Sequence, residues 1–125
     1  MLINRNLKDK IVELAKQFPV VSITGPRQSG KTTLAKLCFP NYHYANLEMP
    51  DVRTLVEDDP RAFLNNYKQG LIIDEAQYVP ELFSYLQGFV DESGALGKYI
   101  LTGSQNFLLL NKISQSLAGR VAILN

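Results

Sequence analysis

The chain alternates between short apolar runs and longer segments whose apolar residues recur three or four positions apart. The apolar runs predict five β-strands, at residues 20–24, 42–48, 70–76, 98–104 and 120–125. The segments with helical spacing predict helices at residues 5–18, 30–39, 51–68, 80–92 and 106–117, the third as one or two pieces broken before Pro60. Strands that alternate with helices predict an α/β fold with a parallel sheet covered on both faces.

Length and composition set limits on this picture. The chain has 125 residues, enough for one domain with its own core. Its formal net charge of +1 gives no argument for a nucleic-acid partner, and no apolar stretch approaches membrane-spanning length, so we expect no membrane partner. The single cysteine, Cys38, excludes a disulfide within the chain and fits a cytoplasmic setting. Because the chain stops at a predicted strand, we expect residues 1–125 to be a module of a longer protein.

The stretch "GPRQSGKT" fits the phosphate-binding pattern G-x-x-x-x-G-K-[ST], and it lies between a predicted strand and a predicted helix. Glycines let backbone N–H groups turn inward around an anion, and the helix directs its positive end toward the same point. Lys31 is then a charge for the outer phosphates, Thr32 a ligand for Mg²⁺, and Thr33 a donor to the inner phosphate. The predicted nucleotide-binding residues are Gly25, Pro26, Arg27, Gln28, Ser29, Gly30, Lys31, Thr32 and Thr33. Arg27 is expected to face solvent.

Two carboxylates follow the apolar run in "LIIDEA". Asp74 is predicted to hold Mg²⁺, through water, opposite Thr32. Glu75 is predicted to orient and deprotonate the attacking water, since phosphoryl transfer needs little beyond positioning and charge stabilisation. The alternative is a pair of solvated carboxylates at a strand end. Gln77 either hydrogen-bonds near this site or faces solvent, and the sequence favours solvent.

Three further polar positions are candidate catalytic residues, each with a simpler alternative. In "LTGSQ", either Thr102 or Ser104 is placed to sense the γ-phosphate, but Ser104 also suits a helix cap. Asn46 either bridges to Glu75 or is an ordinary polar residue at a strand end. Arg120 either reaches a neighbouring subunit's γ-phosphate or satisfies carbonyls at a helix C-terminus.

These motifs together resemble the AAA+ superfamily. "GPRQSGKTTL" resembles its Walker A motif, "LIIDEAQ" its Walker B motif and "LTGSQ" its sensor-1 strand, and their order is similar to that of a large group of prokaryotic ATPases. The resemblance implies a three-layer P-loop NTPase sandwich with sheet order 5-1-4-3-2, binding of ATP and Mg²⁺, and possible homo-oligomers. In that group this module forms the N-terminal part of a longer chain, so a helical lid and a C-terminal region are expected beyond residue 125.

Two functions fit these residues. The first is ATP hydrolysis that drives a conformational change, which the pair of Asp74 and Glu75 favours. The second is a nucleotide-gated binding module with little turnover by itself, which the missing lid favours. A small P-loop kinase is a weaker alternative, because the region after the fourth strand contains one arginine, Arg120. The chain has no N-K-x-D motif of a GTPase and no L-S-G-G-Q signature of a transporter ATPase.

Overall fold

Five parallel strands form one sheet in the computed structural model, which describes residues 5–25, 30–104, 111, 113 and 115–124. The strands are β1 (Val20–Gly25), β2 (His43–Asn46), β3 (Leu71–Asp74), β4 (Tyr99–Ser104) and β5 (Val121–Leu124). Their order across the sheet is β2-β3-β4-β1-β5, and each neighbouring pair is parallel. The predicted order 5-1-4-3-2 is therefore confirmed.

Helix α1 (Arg5–Ala15) precedes β1. Between the strands lie α2 (Lys31–Cys38), α3 (Pro50–Asp58), α4 (Pro60–Asn65) and α5 (Leu82–Ser93), and a 3₁₀ turn at Ala76–Tyr78 follows β3. The helix predicted at 106–117 falls largely outside the described residues, of which 111, 113, 115 and 116 are helical. In the part of the chain that the structure describes, none of the helices has the length and apolar character needed to span a membrane.

Successive residues of the central strands point into two different cores. Leu71 and Ile73 of β3 pack in the core that contains Phe63 of α4. Ile72, between them, packs in the other core together with Ile11 of α1. Because a strand's side chains alternate between its faces, helices α1 and α2 cover one face and helices α3, α4 and α5 cover the other. The three-layer α/β sandwich is confirmed.

Local hydrogen bonds end several elements earlier than the sequence pattern predicts. Helix α1 stops at Ala15, and the carbonyl of Phe18 then accepts a bond of 2.8 Å from the Gly97 amide instead of continuing the helix. Between α3 and α4, the Asp59 side chain accepts from the Ala62 amide at 3.0 Å and so caps the second helix. The predicted break before Pro60 is confirmed.

Gly97 is tightly constrained, and Gly94 offers a matched comparison. Both have left-handed backbones, with φ of 68° and 64°, but a Cβ on Gly97 would lie 2.4 Å from the Ala15 carbonyl oxygen while one on Gly94 meets open space. We expect Gly94→Ala to lower the free energy of unfolding by about 1–2 kcal/mol, the cost of the left-handed backbone. Gly97→Ala should cost roughly 1–3 kcal/mol more, because its methyl group overpacks the end of α1.

Chemical denaturation of both variants at a single temperature measures this difference. Equal losses in the two variants would show that the end of α1 moves aside at no cost, contrary to the expectation.

Candidate active site

Polar residues predicted from separate motifs meet at the carboxyl ends of the strands. All five strands are parallel, so these ends lie on one side of the sheet, here called its carboxyl edge, and the amino ends form the opposite, amino edge. Asp74 pairs in register with Asn46 on one side and with Thr102 on the other, while Gly25 pairs with Ser104. In open parallel sheets this edge is where ligands bind.

The predicted phosphate-binding loop, residues 25–33 and here called the phosphate loop, runs from the end of β1 into the start of α2. Gly25 is buried at the strand end, and Gly30 adopts a left-handed backbone (φ 81°, ψ 9°) immediately before the helix. The Leu34 amide donates to the Gly30 carbonyl at 2.9 Å, which begins the helical hydrogen bonding. Having no side chain, Gly30 leaves the N–H groups of the first turn without the cap that serine or aspartate provides. Pro26, Arg27, Gln28 and Ser29 lie outside the described residues.

The first turn of α2 contains the three side chains predicted to bind phosphate and metal. Lys31 is only 7% exposed, which is unusual for lysine, whereas Thr32 is half-buried and Thr33 is exposed. Helix α2 packs over β1, β4 and β3. Because α2 begins shortly after the carboxyl end of β1, its N-terminal end lies at the edge that also contains Asp74. The helix end contributes partial positive charge at this edge.

The Asp74 carboxylate is held from two sides. Its Oδ1 accepts a hydrogen bond of 2.6 Å from the Thr102 hydroxyl, and its Oδ2 accepts one of 2.5 Å from the Tyr44 hydroxyl. Burial, followed by the hydrogen bond to Asp74, raises the pKa of Tyr44, so the phenol remains a donor at neutral pH. Of the two predicted sensor residues, Thr102 donates its hydroxyl to Asp74, whereas the side chain of Ser104 lies outside the described part of the chain.

Glu75 adopts a backbone conformation that is unfavourable for its residue type. Its φ of 55° and ψ of 49° are left-handed, and it is the one non-glycine residue with positive φ in the described part of the chain. Its side chain is 8% exposed, and Oε2 accepts a bond of 2.5 Å from Nε2 of Gln77. Gln77 is half-buried and bound to the predicted catalytic carboxylate, contrary to the solvent-facing position that the sequence favoured.

Asn46 makes a local contact at the end of β2. Its Oδ1 accepts a hydrogen bond of 3.0 Å from the Glu48 amide, a turn that ends the strand earlier than the predicted residue 48. The bond observed on the Glu75 carboxylate comes from Gln77. A bridge from Asn46 to Glu75 stays a prediction.

Arg120 lies at the amino edge of the sheet, opposite to the carboxyl edge that contains Asp74. It precedes β5, whose first residue, Val121, pairs with Val20 at the start of β1. Its guanidinium donates to the two oxygens of Asp91 at 2.6 and 3.0 Å and to the Ala118 carbonyl at 3.0 Å. The hydrogen bond with Arg120 lowers the pKa of Asp91. The bond to the Ala118 carbonyl fits the alternative in which Arg120 satisfies carbonyls at a helix C-terminus. Contact of Arg120 with a neighbouring subunit's γ-phosphate stays a prediction.

The donors at the carboxyl edge fit Mg²⁺ bound together with phosphate. Among the described residues there is no group of three or more His, Cys, Asp or Glu side chains that could hold a metal ion. The Thr32 hydroxyl and the Asp74 carboxylate are oxygen donors, and Mg²⁺ usually takes one or two carboxylates together with phosphate oxygens and water.

Sequence reasoning missed Tyr44 and misjudged Gln77. Tyr44 lies two positions before Asn46, and strand periodicity therefore places both on one face of β2, a signal that was available from the sequence. Its reach to Asp74 depends on the register of β2 against β3, which neither the sequence pattern nor the predicted strand order specifies. Gln77 lies two residues after Glu75, and the left-handed backbone of Glu75 cannot be predicted from its residue type.

Two solved structures share this fold. A crystal structure of the DnaC helicase loader matches with a TM-score of 0.64 at 14% identity, covering 99% of this chain and 92% of that chain. A crystal structure of a DNA replication initiation factor matches with a TM-score of 0.57, also at 14% identity, covering 100% of this chain and 48% of that chain. At such low identity these matches establish the α/β P-loop NTPase fold alone.

Sequence comparison identifies the family. Uncharacterized proteins of Mycobacterium bovis and Mycobacterium tuberculosis are each 36% identical to this chain over 129 aligned residues, which include 98% of it. The chain spans 28% of the length of these relatives. The family model described as "AAA domain" matches residues 17–125, which contain the phosphate loop, the two carboxylates and all five strands. This chain therefore belongs to the AAA domain family.

Proposed function

We propose that this chain binds ATP with Mg²⁺ at the carboxyl edge of its sheet and hydrolyses it to drive a conformational change. The observation that carries the proposal is the buried pair of Asp74 and Glu75 at the end of β3, on the edge where α2 begins. Membership of the AAA domain family and the P-loop NTPase fold support it.

Binding is assigned to α2 and Asp74. The Lys31 ammonium group binds the outer phosphates, and the N–H groups of the first helical turn donate to the phosphate oxygens. Thr32 and Asp74 are the residues that would hold Mg²⁺, which when bound neutralises the charge on the phosphates. Lys31 is nearly buried, so its charge acts in a site of low water content, where electrostatic attraction is stronger than in solvent.

Hydrolysis is assigned to Glu75. A water oxygen attacks the γ-phosphorus, the bond from that phosphorus to the β–γ bridging oxygen breaks, and ADP leaves with the electron pair. Glu75 accepts the proton of the attacking water. Because Gln77 donates to Oε2 of Glu75, we assign Oε1 as the atom that takes this proton.

The second candidate function is ATP binding with little turnover in the isolated chain. The position of Arg120 favours it, because the amino edge of the sheet lies away from the chain's own phosphate loop. An arginine supplied by a neighbouring subunit contributes about 10³- to 10⁵-fold to related phosphoryl transfers. In this case Arg120 leaves Asp91 when a second copy of the chain packs against that edge, and the isolated chain hydrolyses ATP slowly.

Lys31→Ala should weaken binding of ATP with Mg²⁺ by roughly 10- to 100-fold, since a hydrogen bond to a charged group contributes about 1.5–3 kcal/mol. Isothermal titration calorimetry measures the affinity. Lys68→Ala is the matched control, because Lys68 is an exposed lysine that precedes β3 at the amino edge. Unchanged affinity in Lys31→Ala would show that this loop does not bind the phosphates.

Glu75→Gln keeps the shape of the side chain but removes the proton acceptor. It should slow single-turnover hydrolysis by about 10²- to 10⁴-fold, the usual contribution of a positioned general base, while ATP still binds. Glu57→Gln, an exposed change on α3, serves as the control. Equal and measurable single-turnover rates in wild type and Glu75→Gln would remove Glu75 from the chemistry, whereas no measurable turnover in wild type would favour the binding module.

Gln77→Ala and Asn46→Ala compare the two possible restraints on Glu75. We expect Gln77→Ala to slow single-turnover hydrolysis by roughly 10- to 100-fold without weakening ATP binding, because a misplaced catalytic group lowers the rate of the chemical step. The loss in Asn46→Ala should be smaller, because the observed bond of its Oδ1 is to the Glu48 amide. The reverse order of losses would identify Asn46 as the residue that restrains Glu75.

A further inference from the structure

Tyr44 connects three parts of the candidate site. Its hydroxyl donates to Oδ2 of Asp74 at 2.5 Å, and the Lys36 ammonium group lies 3.8 Å from the centre of its ring. Lys36 belongs to α2, the helix whose first residue is Lys31. A single phenol therefore links the edge strand β2, the carboxylate on β3 and the helix that follows the phosphate loop.

Strand register explains how two donors reach one carboxylate. Thr102 on β4 lies directly opposite Asp74, so a short hydroxyl side chain spans the distance. Tyr44 on β2 lies opposite Ile72, two positions earlier than Asp74, and only a long side chain reaches across this diagonal. Ile72 and Tyr44 pack in the core beneath α1 and α2, and Asp74 shares that face by strand alternation.

The two bonds fix the plane of the Asp74 carboxylate. An ionised carboxylate has about four acceptor positions, two on each oxygen. Thr102 takes one position on Oδ1 and Tyr44 takes one on Oδ2, which leaves one on each oxygen. A carboxylate restrained in this way presents its remaining positions in one direction, whereas an unrestrained carboxylate rotates about its terminal bond.

The ring of Tyr44 is itself restrained. It is half-buried against the core beneath α1 and α2, and Lys36 covers it. A cation above an aromatic ring contributes roughly 0.5–1 kcal/mol at an exposed site.

We propose that Tyr44 is a positioning residue that holds the Asp74 carboxylate in the orientation required to accept hydrogen bonds from Mg²⁺-bound water. This inference rests on the proposed function, because it requires Asp74 to face a bound metal ion. It assigns to Tyr44 a role in Mg²⁺ affinity that is separate from any contact with nucleotide.

The test is a Mg²⁺ concentration series with fluorescent mant-ATP as the probe, followed by its fluorescence on binding. Tyr44→Phe removes the hydroxyl and keeps the ring. It should raise the Mg²⁺ concentration for half-maximal binding by about 10-fold, as is typical when a residue that orients a metal ligand is lost. Affinity for mant-ATP in excess EDTA should be the same as in wild type.

Tyr42→Phe is the matched control. The Tyr42 hydroxyl donates to the Gly97 carbonyl at 2.6 Å, at the amino edge of the sheet, so this variant loses a tyrosine hydrogen bond of similar length away from the site. Its Mg²⁺ dependence should equal that of wild type. Lys36→Met, which removes the cation and keeps an aliphatic stem, should shift the Mg²⁺ dependence in the same direction as Tyr44→Phe by a smaller factor.

Each other outcome overturns a defined claim. Unchanged Mg²⁺ dependence in Tyr44→Phe, tighter Mg²⁺ binding, or an equal loss of affinity in EDTA would each refute the positioning role while the proposed function stands. Wild-type protein that fails to bind mant-ATP, or binds it equally well with Mg²⁺ and with EDTA, would refute the proposed function instead. If Tyr44→Phe does not fold, as judged by circular dichroism, the result for Lys36→Met decides the inference.

Discussion

The candidate site depends on one constraint, the parallel pairing of all five strands. Parallel pairing brings the carboxyl ends of β1, β2, β3 and β4 to one edge, although these ends are far apart in sequence. The register then sets Asp74 between Asn46 and Thr102. Because the interior strand β3 is fully buried, its register is fixed by two cores at once, and a slip of one residue would move every side chain to the wrong face.

Much of the fold was predictable from the sequence because hydrophobic periodicity is a local property. Continuous apolar runs such as residues 71–73 indicate a strand buried on both faces, and the structure confirms this. The strand order came from the resemblance to AAA+ proteins, since apolar runs do not specify their neighbours. Element ends were less predictable, because β2 stops where Asn46 binds the Glu48 amide and β3 stops before the left-handed Glu75.

The residue types of the candidate site were also predictable, because a glycine-rich loop with lysine and a pair of carboxylates after an apolar strand are local patterns. Their partners were not. The bond from Tyr44 to Asp74 requires the exact register of β2 against β3, which arises from tertiary packing and does not follow from the predicted strand order. The bond from Gln77 to Glu75 requires a left-handed residue between a strand and a 3₁₀ turn. Motifs therefore indicated which groups are present, and the tertiary structure determined how each is oriented.

The orientation of these groups has an energetic cost that points to a ligand. A left-handed conformation at Glu75 costs about 1–2 kcal/mol, and burial of a charged group costs several kcal/mol unless other groups compensate it. Donors from Thr102, Tyr44 and Gln77 offset part of the cost for the two buried carboxylates. Under the proposed function, a bound Mg²⁺ at the same edge would offset more of this cost. Strain and buried charge of this kind concentrate at functional sites, and the described residues place both at the carboxyl ends of the strands.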